Sequence, residues 1–211
     1  MNFEILFATN NKHKLEEVRN FLSPYGLIVY GLSDVLLDVV EPEECGKTYR
    51  ENALIKANAY KGVTKMPIIS DDSGLEILAL NNIPGINSAR FAKEKGGHAN
   101  AMTRIIDELK NHENKSAQFI CEIVVVNLDK EPLYFRGVAE GEIISNFVGE
   151  GGFGYDPIFF SKEANKTFAE LTQDEKNIYS HRGKALKKML VMLQLRGLAK
   201  FKKVKHNHDH H

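Results

Sequence analysis

The chain lacks tryptophan, contains only two cysteines, and has no excess of either charge. Cys45 and Cys121 are too few for a disulfide scaffold and lack the CxxC spacing of a zinc or thiol redox site. The 28 basic and 28 acidic side chains cancel, so no overall field would attract nucleic acid or an anionic membrane. Any phosphate binding must therefore be local.

Long hydrophobic runs are also missing. The apolar stretch at 123–126 falls far short of the roughly 20 residues that span a bilayer. Residues 1–11 include Glu4 and three asparagines, where a signal peptide would have a basic start and an apolar stretch. We therefore expect a cytoplasmic protein with neither a membrane nor a nucleic-acid partner.

Strand-like and helix-like segments alternate along the 211 residues. Residues 3–8 predict a strand that precedes a helix, and residues 119–128 and 133–144 predict an antiparallel hairpin. This order predicts an α/β protein with a mixed twisted sheet, flanking helices and two lobes around a central substrate cleft. We expect a single domain at 1–199 and a basic, histidine-rich, disordered tail at 200–211.

The first predicted strand-to-helix turn is rich in hydroxyl, amide and cationic groups. These are Thr9, Asn10, Asn11, Lys12, His13 and Lys14. The unpaired N–H groups at a helix start favour a bound anion, and lysines add positive charge. A polar loop that only caps a helix is the alternative interpretation. The chain contains neither a Walker pattern nor a G-x-G-x-x-G fingerprint.

Two groups of acids could act together. Asp71 and Asp72 stand where a buried strand at 67–70 should end. Since adjacent side chains of a strand point to opposite faces, at most one of these carboxylates should face a given cleft. An acid from the cluster Glu41, Glu43 and Glu44 could join it in holding a hard cation through oxygen. Solvated acids at a helix start would explain the same pattern.

Two later segments suit the rest of a ligand. Residues 151–157 combine glycine backbone freedom with two aromatic rings, so a planar group could stack close to the main chain. A plain glycine turn explains this segment almost as well. Ser180 should cap the last helix, which places His181 and Arg182 at its start, where they suit oxygen acceptors.

The order of these motifs is more specific than any one of them. In chain order they read TNNKHKLEE at 9–17, TYRENA at 48–53, SDDSGL at 70–75 with PGINSARF at 84–91, GFGYDP at 152–157 and SHRGKAL at 180–186. Over residues 3–196 this series resembles the inosine triphosphate pyrophosphatase family. The resemblance implies a cytosolic homodimer that cleaves ITP, dITP and XTP to the monophosphate and pyrophosphate with Mg²⁺, or with Mn²⁺ as the alternative ion.

The resemblance also implies roles for individual residues. Asp72 matches the catalytic carboxylate that also touches the metal, Glu43 matches the metal-binding acid, and Glu44 is its substitute. His181 and Arg182 match the readers of the purine 6-oxo group. The turn at 9–14 matches the phosphate-binding loop. Further substrate-binding residues that it implies are Lys56, Ser73, Phe153, Gly154, Tyr155, Asp156 and Lys176.

One departure from the family pattern concerns Asn10, which stands where glycine is common. Asparagine tolerates a left-handed backbone better than most residues, so the turn can keep its conformation.

Two other functions stay open. A nucleotide-binding module without turnover would not need Asp72 and Glu43. A hydrolase of modified pyrimidine nucleotides or of terminal phosphates would leave His181 and Arg182 without a purpose.

Overall fold

The computed structural model describes residues 2–35 and 42–201. Within these ranges a mixed sheet has the strand order β2-β1-β3-β5-β6-β7-β8, with β4 beside β3. The strands are β1 (Phe3–Phe7), β2 (Leu27–Tyr30), β3 (Ile68–Ile77), β4 (Ile83–Pro84), β5 (Ser116–Val126), β6 (Leu133–Ile143), β7 (Phe159–Ser161) and β8 (Lys166–Thr167). The helices are α1 (Lys12–Leu22), α2 (Leu32–Val35), α3 (Tyr49–Asn58), α4 (Ser88–Glu94), α5 (His98–Leu109), α6 (Gln173–Tyr179) and α7 (His181–Leu195).

The sheet changes direction at its centre. Strand β1 lies parallel to both β2 and β3, whereas β3, β5, β6 and β7 pair antiparallel with one another in turn. Helix α1 connects the parallel strands β1 and β2, and the predicted hairpin is formed by β5 and β6. The prediction of an α/β protein with a mixed sheet is confirmed.

Strand β3 is longer than the sequence predicts. The expected end of the strand at residue 70 is wrong, because β3 is continuous over Ile68–Ile77 and pairs along that whole length with β5. The equally long neighbour satisfies the backbone hydrogen bonds of β3, so even a polar stretch stays extended. Asp71 and Asp72 consequently lie in the middle of a central strand instead of at its end.

Hydroxyl side chains cap the starts of three helices, including the Ser180 cap that the sequence predicts. Thr48 accepts a hydrogen bond from the Glu51 backbone N–H at 3.1 Å, and Ser180 accepts one from Gly183 at 2.9 Å. Thr172 forms a reciprocal capping box with the residue three positions later. These bonds satisfy N–H groups that a helix start leaves unpaired, which is why α3, α6 and α7 begin where they do.

The buried core divides between the two ends of the long strands. One cluster surrounds β1, β2, α1 and α7 and includes Phe7, Leu22 and Leu190. Another, around the far ends of β3, β5 and β6, includes Phe119 and Phe168. A third cluster packs α3 on the opposite face of the sheet. The two ends form the two lobes, and the cavity described below draws its lining from both.

The chain remains attached to the body of the protein as far as Lys200. Its N–H donates to the Tyr25 carbonyl at 2.9 Å, and its own carbonyl accepts from Gln194 at 2.8 Å. Of the predicted tail, residues 202–211 lie outside the described ranges, so its disorder stays a prediction. None of the helices in the described ranges combines the length and apolarity that crossing a bilayer requires.

Candidate active site

A cavity of about 170 Å³ lies between the two lobes. Most residues that the sequence singled out contribute to its wall. These are Asn11, Lys14, Glu44, Asp72, Ser73, Phe153, Gly154, Tyr155, Asp156, Lys176, His181 and Arg182. The tertiary structure therefore brings together motifs that are as much as 170 residues apart in the sequence.

The first turn is organised by Asn11. Its side-chain oxygen caps α1 by accepting from the Lys14 N–H at 3.1 Å, and its own N–H donates to the Thr9 hydroxyl at 3.0 Å. Lys14 reaches the cavity from the first turn of the helix. Asn10 does not adopt a left-handed backbone, so the asparagine at the usual glycine position introduces no backbone strain.

Asp71 anchors the cationic side of the site. Its carboxylate accepts from Lys14 Nζ at 3.2 Å and from Arg182 Nη2 at 3.2 Å and Nε at 3.3 Å. Burial by itself would raise the pKa of Asp71, but Lys14 and Arg182 outweigh burial and hold this pKa well below its usual range. Asp71 is therefore a permanent anion that holds two substrate-facing cations in place.

Glu17 extends this ionic chain to the other side of the cavity. Its two carboxylate oxygens accept from Arg182 Nη1 at 2.8 Å and from Lys176 Nζ at 2.6 Å. Lys176 also donates to Asp156 at 2.8 Å. Burial opposes the charge on Glu17, but Arg182 and Lys176 more than compensate, so the pKa of Glu17 is lowered. Alternating charges thus connect Lys14 with Asp156 through the protein interior.

Asp72 lies on the opposite face of β3 from Asp71, as the strand alternation predicts. Asp72 lines the cavity and accepts from Asn52 Nδ2 at 3.2 Å. Burial raises the pKa of Asp72 to about 7; the nearby Glu44 carboxylate adds to the shift, and Lys56 and Lys14 oppose it. A carboxyl group with this pKa can gain or lose a proton near neutral pH.

The two candidate metal-binding acids differ in position. Glu44 lines the cavity and pairs with Lys56 Nζ at 3.0 Å. Glu43 is exposed and lines a neighbouring depression together with Glu44 and Cys45. Among residues 2–35 and 42–201, no group of three or more His, Cys, Asp or Glu side chains is placed to hold a metal. A cation here would need further ligands from a substrate.

The glycine-rich loop folds around Asp156. The Phe153 N–H donates to Asp156 Oδ2 at 3.0 Å, and Gly152, with φ of 69°, leaves no room for a Cβ because this atom would lie 2.3 Å from the same carboxylate oxygen. The hydroxyl of Tyr155 donates to the Ser88 carbonyl at 2.6 Å, so this ring anchors the loop in the core. Phe153 is half-buried and lines the cavity.

The start of α7 presents a neutral imidazole to the cavity. His181 is buried, and its ring lies parallel to Phe119 at a centroid distance of 4.6 Å. Burial, reinforced by Arg182 and Lys176, lowers the pKa of His181 well below its usual value. Its Nδ1 finds no hydrogen-bond partner in the described part of the chain, which leaves this buried polar atom available to a ligand.

Not every predicted site residue lines the cavity. Those outside its lining are Thr9, Asn10, Lys12, His13, Glu43 and Lys56. Lys56 still acts on the site through Glu44 and through the pKa of Asp72. His13 instead stacks on Phe153, with ring centroids 5.1 Å apart and an interplanar angle of 12°.

Sequence reasoning assigned no role to four residues that the structure places at the site. Glu17 lies three positions after Lys14, and Asn52 lies four before Lys56, so helical spacing could have placed each on the same helix face as that lysine. His98 and Phe119 also line the cavity. No pattern in the sequence distinguishes them, because α5 and β5 reach the site only through the tertiary fold.

A cationic turn, a paired carboxylate and an aromatic loop surround one cleft of this mixed α/β fold. The protein is therefore of the class of α/β proteins whose cleft suits a phosphorylated planar ligand. The chain belongs to the Ham1 family, whose model matches residues 5–192. It is 42% identical over 194 residues to the dITP/XTP pyrophosphatase of Clostridium perfringens, which covers 88% of this chain and 95% of the relative.

Solved structures show the same likeness. The structure of the Staphylococcus aureus Ham1 protein superposes with a TM-score of 0.80 at 37% identity, over 92% of this chain and 99% of that one. A HAM1 protein from Coxiella burnetii gives a TM-score of 0.81 at 38% identity, again over 92% and 99% of the two chains. The similarity thus extends over nearly the whole length of those two proteins.

Proposed function

We propose that this protein hydrolyses the non-canonical purine nucleoside triphosphates ITP, dITP and XTP to the monophosphate and pyrophosphate, and so removes deaminated purines from the nucleotide pool. The observation that carries the proposal is that Lys14, Asp72 and Phe153 line one cavity. Together they offer a cation for phosphate, a carboxyl group for water and an aromatic face for a base. The similarity to the dITP/XTP pyrophosphatase of Clostridium perfringens supports the same substrate class.

Asp72 is the proposed general base. Its carboxyl group lines the cavity, where it can take a proton from water, and without a bound cation its pKa is raised to about 7, near the pH at which a general base works best. The water oxygen then forms a bond to the α-phosphorus while the bond from that phosphorus to the bridging oxygen breaks, and pyrophosphate leaves. Asn52, which donates to Oδ2, holds the carboxyl group in orientation.

We also propose Mg²⁺ as the cofactor, with Mn²⁺ as a possible substitute. Asp72 and Glu44 fit this ion: both line the cavity, and the pKa of Asp72 is raised in part by the like charge of Glu44, a repulsion that a cation would relieve. Mg²⁺ commonly takes one or two carboxylates together with substrate phosphates. When bound, it would neutralise charge on the phosphates. Glu43, on the same loop, is the alternative ligand.

The lysines hold the phosphates. A triphosphate carries nearly four negative charges, and these must be compensated before water can approach phosphorus. Lys14 lines the cavity, while Lys56, through its pair with Glu44, adds positive charge beside it.

Chelation of divalent ions should abolish turnover and added Mg²⁺ or Mn²⁺ should restore it; full activity after exhaustive chelation would rule out the proposed cofactor.

The purine base of the substrate is recognised by residues at the start of α7. Phe153 offers a stacking face, and His181 and Arg182 lie where they can donate to a 6-oxo group. Adenine would instead bring its 6-amino donor against donors, which is costly in a buried site. Most Arg182 donors are already bonded to Asp71, Glu17 and Ser73, so the guanidinium is held rigidly.

The test is to measure pyrophosphate and inorganic phosphate released from ITP, XTP and ATP. We expect pyrophosphate only, with kcat/KM for ITP and XTP roughly tenfold to hundredfold above that for ATP, the worth of a charged hydrogen bond. Arg182→Ala should lower ITP turnover and narrow the ITP-to-ATP ratio. Equal kcat/KM for ITP and ATP in the unaltered protein would contradict the proposal, and so would release of terminal phosphate.

We further propose that the protein is a homodimer in the cytoplasm, where its nucleotide substrates are found. Leu78 and Ile83 are 57% and 55% exposed on either side of the turn between β3 and β4, an apolar surface that a second copy could cover. Light scattering at micromolar concentration should give twice the 23.8 kDa mass of the chain. A monomer mass would contradict the dimer.

A further inference from the structure

His13 and Phe153 form a contact that the proposed chemistry does not use. They come from segments 140 residues apart, the first turn of α1 and the glycine-rich loop. Their rings are nearly parallel, with an interplanar angle of 12° and centroids 5.1 Å apart, which is the geometry of a stacked pair. The sequence places His13 among phosphate-binding residues, whereas the structure places its ring against an aromatic side chain.

The Phe153 ring contacts side chains both inside and outside the cavity lining. Phe153 lines the cavity, and so do Lys176 and Arg182, whose cationic groups lie 4.9 and 5.8 Å from the Phe153 ring centroid. His13 is exposed and is not part of the cavity lining. His13 therefore contacts the Phe153 ring from outside the cavity lining, whereas Lys176 and Arg182 contact it from within that lining.

Phe153 needs such support because its own backbone is permissive. Gly152 and Gly154 on either side of it adopt φ of 69° and 64°, the left-handed region that glycine enters at no steric cost. Two hydrogen bonds with Asp156 hold the loop at this point: the Phe153 N–H donates to the Asp156 carboxylate, and the Phe153 carbonyl accepts from the Asp156 N–H. Neither of them holds the ring. The His13 imidazole, at the start of α1, adds a stacked ring contact to those of Lys176 and Arg182.

We propose that His13 is a positioning residue that backs the Phe153 ring and fixes it for stacking on the purine. The inference rests on the proposed use of Phe153 as the base-stacking face. Because His13 directly precedes Lys14, the contact also joins the phosphate-binding turn to the base-binding loop. His13 thus acts on the base end of the substrate through Phe153 and not as a phosphate ligand.

The experiment compares His13→Ala with His13→Phe, which keeps a ring at the position. His112→Ala, at an exposed histidine beyond the end of α5, is the matched control. For each variant, kcat and KM for ITP are measured together with inhibition by pyrophosphate, which has no base. We expect His13→Ala to raise KM roughly threefold to tenfold, the usual worth of an aromatic pair, with kcat and pyrophosphate inhibition unchanged. His13→Phe should restore KM.

Two outcomes of this comparison would overturn the inference. If His13→Ala weakens pyrophosphate inhibition as much as it raises KM, His13 is a phosphate ligand. If His13→Phe does not restore KM, stacking is not the reason for the effect.

Phe153→Leu separates this inference from the proposed function. It should raise KM for ITP at least about fivefold, because stacking of a base on an aromatic ring contributes more than a contact behind it. When His13→Ala is combined with Phe153→Leu, it should not raise KM for ITP any further. If Phe153→Leu raises KM for ITP but His13→Ala alone does not, only the proposed role of His13 is wrong. If Phe153→Leu leaves KM unchanged, the base-stacking face itself is wrong, and the inference fails with it.

Discussion

Asp71 and Asp72 are adjacent on β3 and almost equally buried, at 2% and 4% exposure, yet their pKa values are shifted in opposite directions. On one face, Lys14 and Arg182 bond directly to Asp71 and keep it ionised. On the other, Asp72 receives a neutral amide hydrogen bond from Asn52 and lies near a second carboxylate. Burial raises the pKa of both carboxyl groups, so the net direction is decided by the groups that face each side of the strand.

The comparison separates two tasks that one acidic pair performs. A carboxylate that stays ionised can hold cations in position, whereas one with a pKa near neutrality can exchange a proton with water. Asp71 has the first property, and Asp72 has the second. Three substitutions test this division.

The largest expected effect is on catalysis by Asp72→Asn. We expect turnover of ITP to fall by about 10²–10⁴-fold, the usual contribution of a general base, while the protein stays folded. The urea midpoint at pH 8 should not fall below that of the unaltered protein, because the substitution removes a buried charge that its surroundings disfavour. Circular dichroism and pyrophosphate release on the same samples give both quantities, and loss of folding would contradict the assignment.

Asp71→Asn should mainly affect stability. Removing one partner of a buried ion pair leaves the other charge uncompensated, so we expect the free energy of unfolding to fall by about 3–5 kcal/mol. Urea denaturation at neutral pH measures this loss. If Asp71→Asn is stable but inactive and Asp72→Asn is active, the two roles are assigned in reverse.

Glu17→Gln should have a smaller effect, since glutamine retains one acceptor for Lys176 or Arg182. A hydrogen bond to a charged group contributes about 1.5–3 kcal/mol, and we expect a loss of that order at neutral pH. The folded pKa of Glu17 lies below its ordinary value of 4.5. Its stabilising contribution is therefore complete above that value and disappears as the pH falls through the lower, folded pKa.

The unaltered protein should consequently lose stability as the pH is lowered below about 5. Glu17→Gln should lose less over the same interval, so the two unfolding free energies should converge. Parallel curves of unfolding free energy against pH would show that Glu17 does not titrate in this way.

The sequence by itself determined the local elements and the residue types of the site. Thr48, Thr172 and Ser180 mark helix starts through short-range hydrogen bonds, and strand alternation places Asp71 and Asp72 on opposite faces. Such features depend on neighbours within a few residues. For that reason they could be predicted before any long-range contact was known.

Only the tertiary structure decided how these residues act. The length of β3 depends on a partner strand some 50 residues away, and the charge state of Asp71 depends on Arg182, 111 residues further along. His13 stacks on Phe153 because the fold brings the start of α1 against the glycine-rich loop. Electrostatic and stacking interactions act over a few ångströms in space, and distance along the chain does not specify which groups come that close.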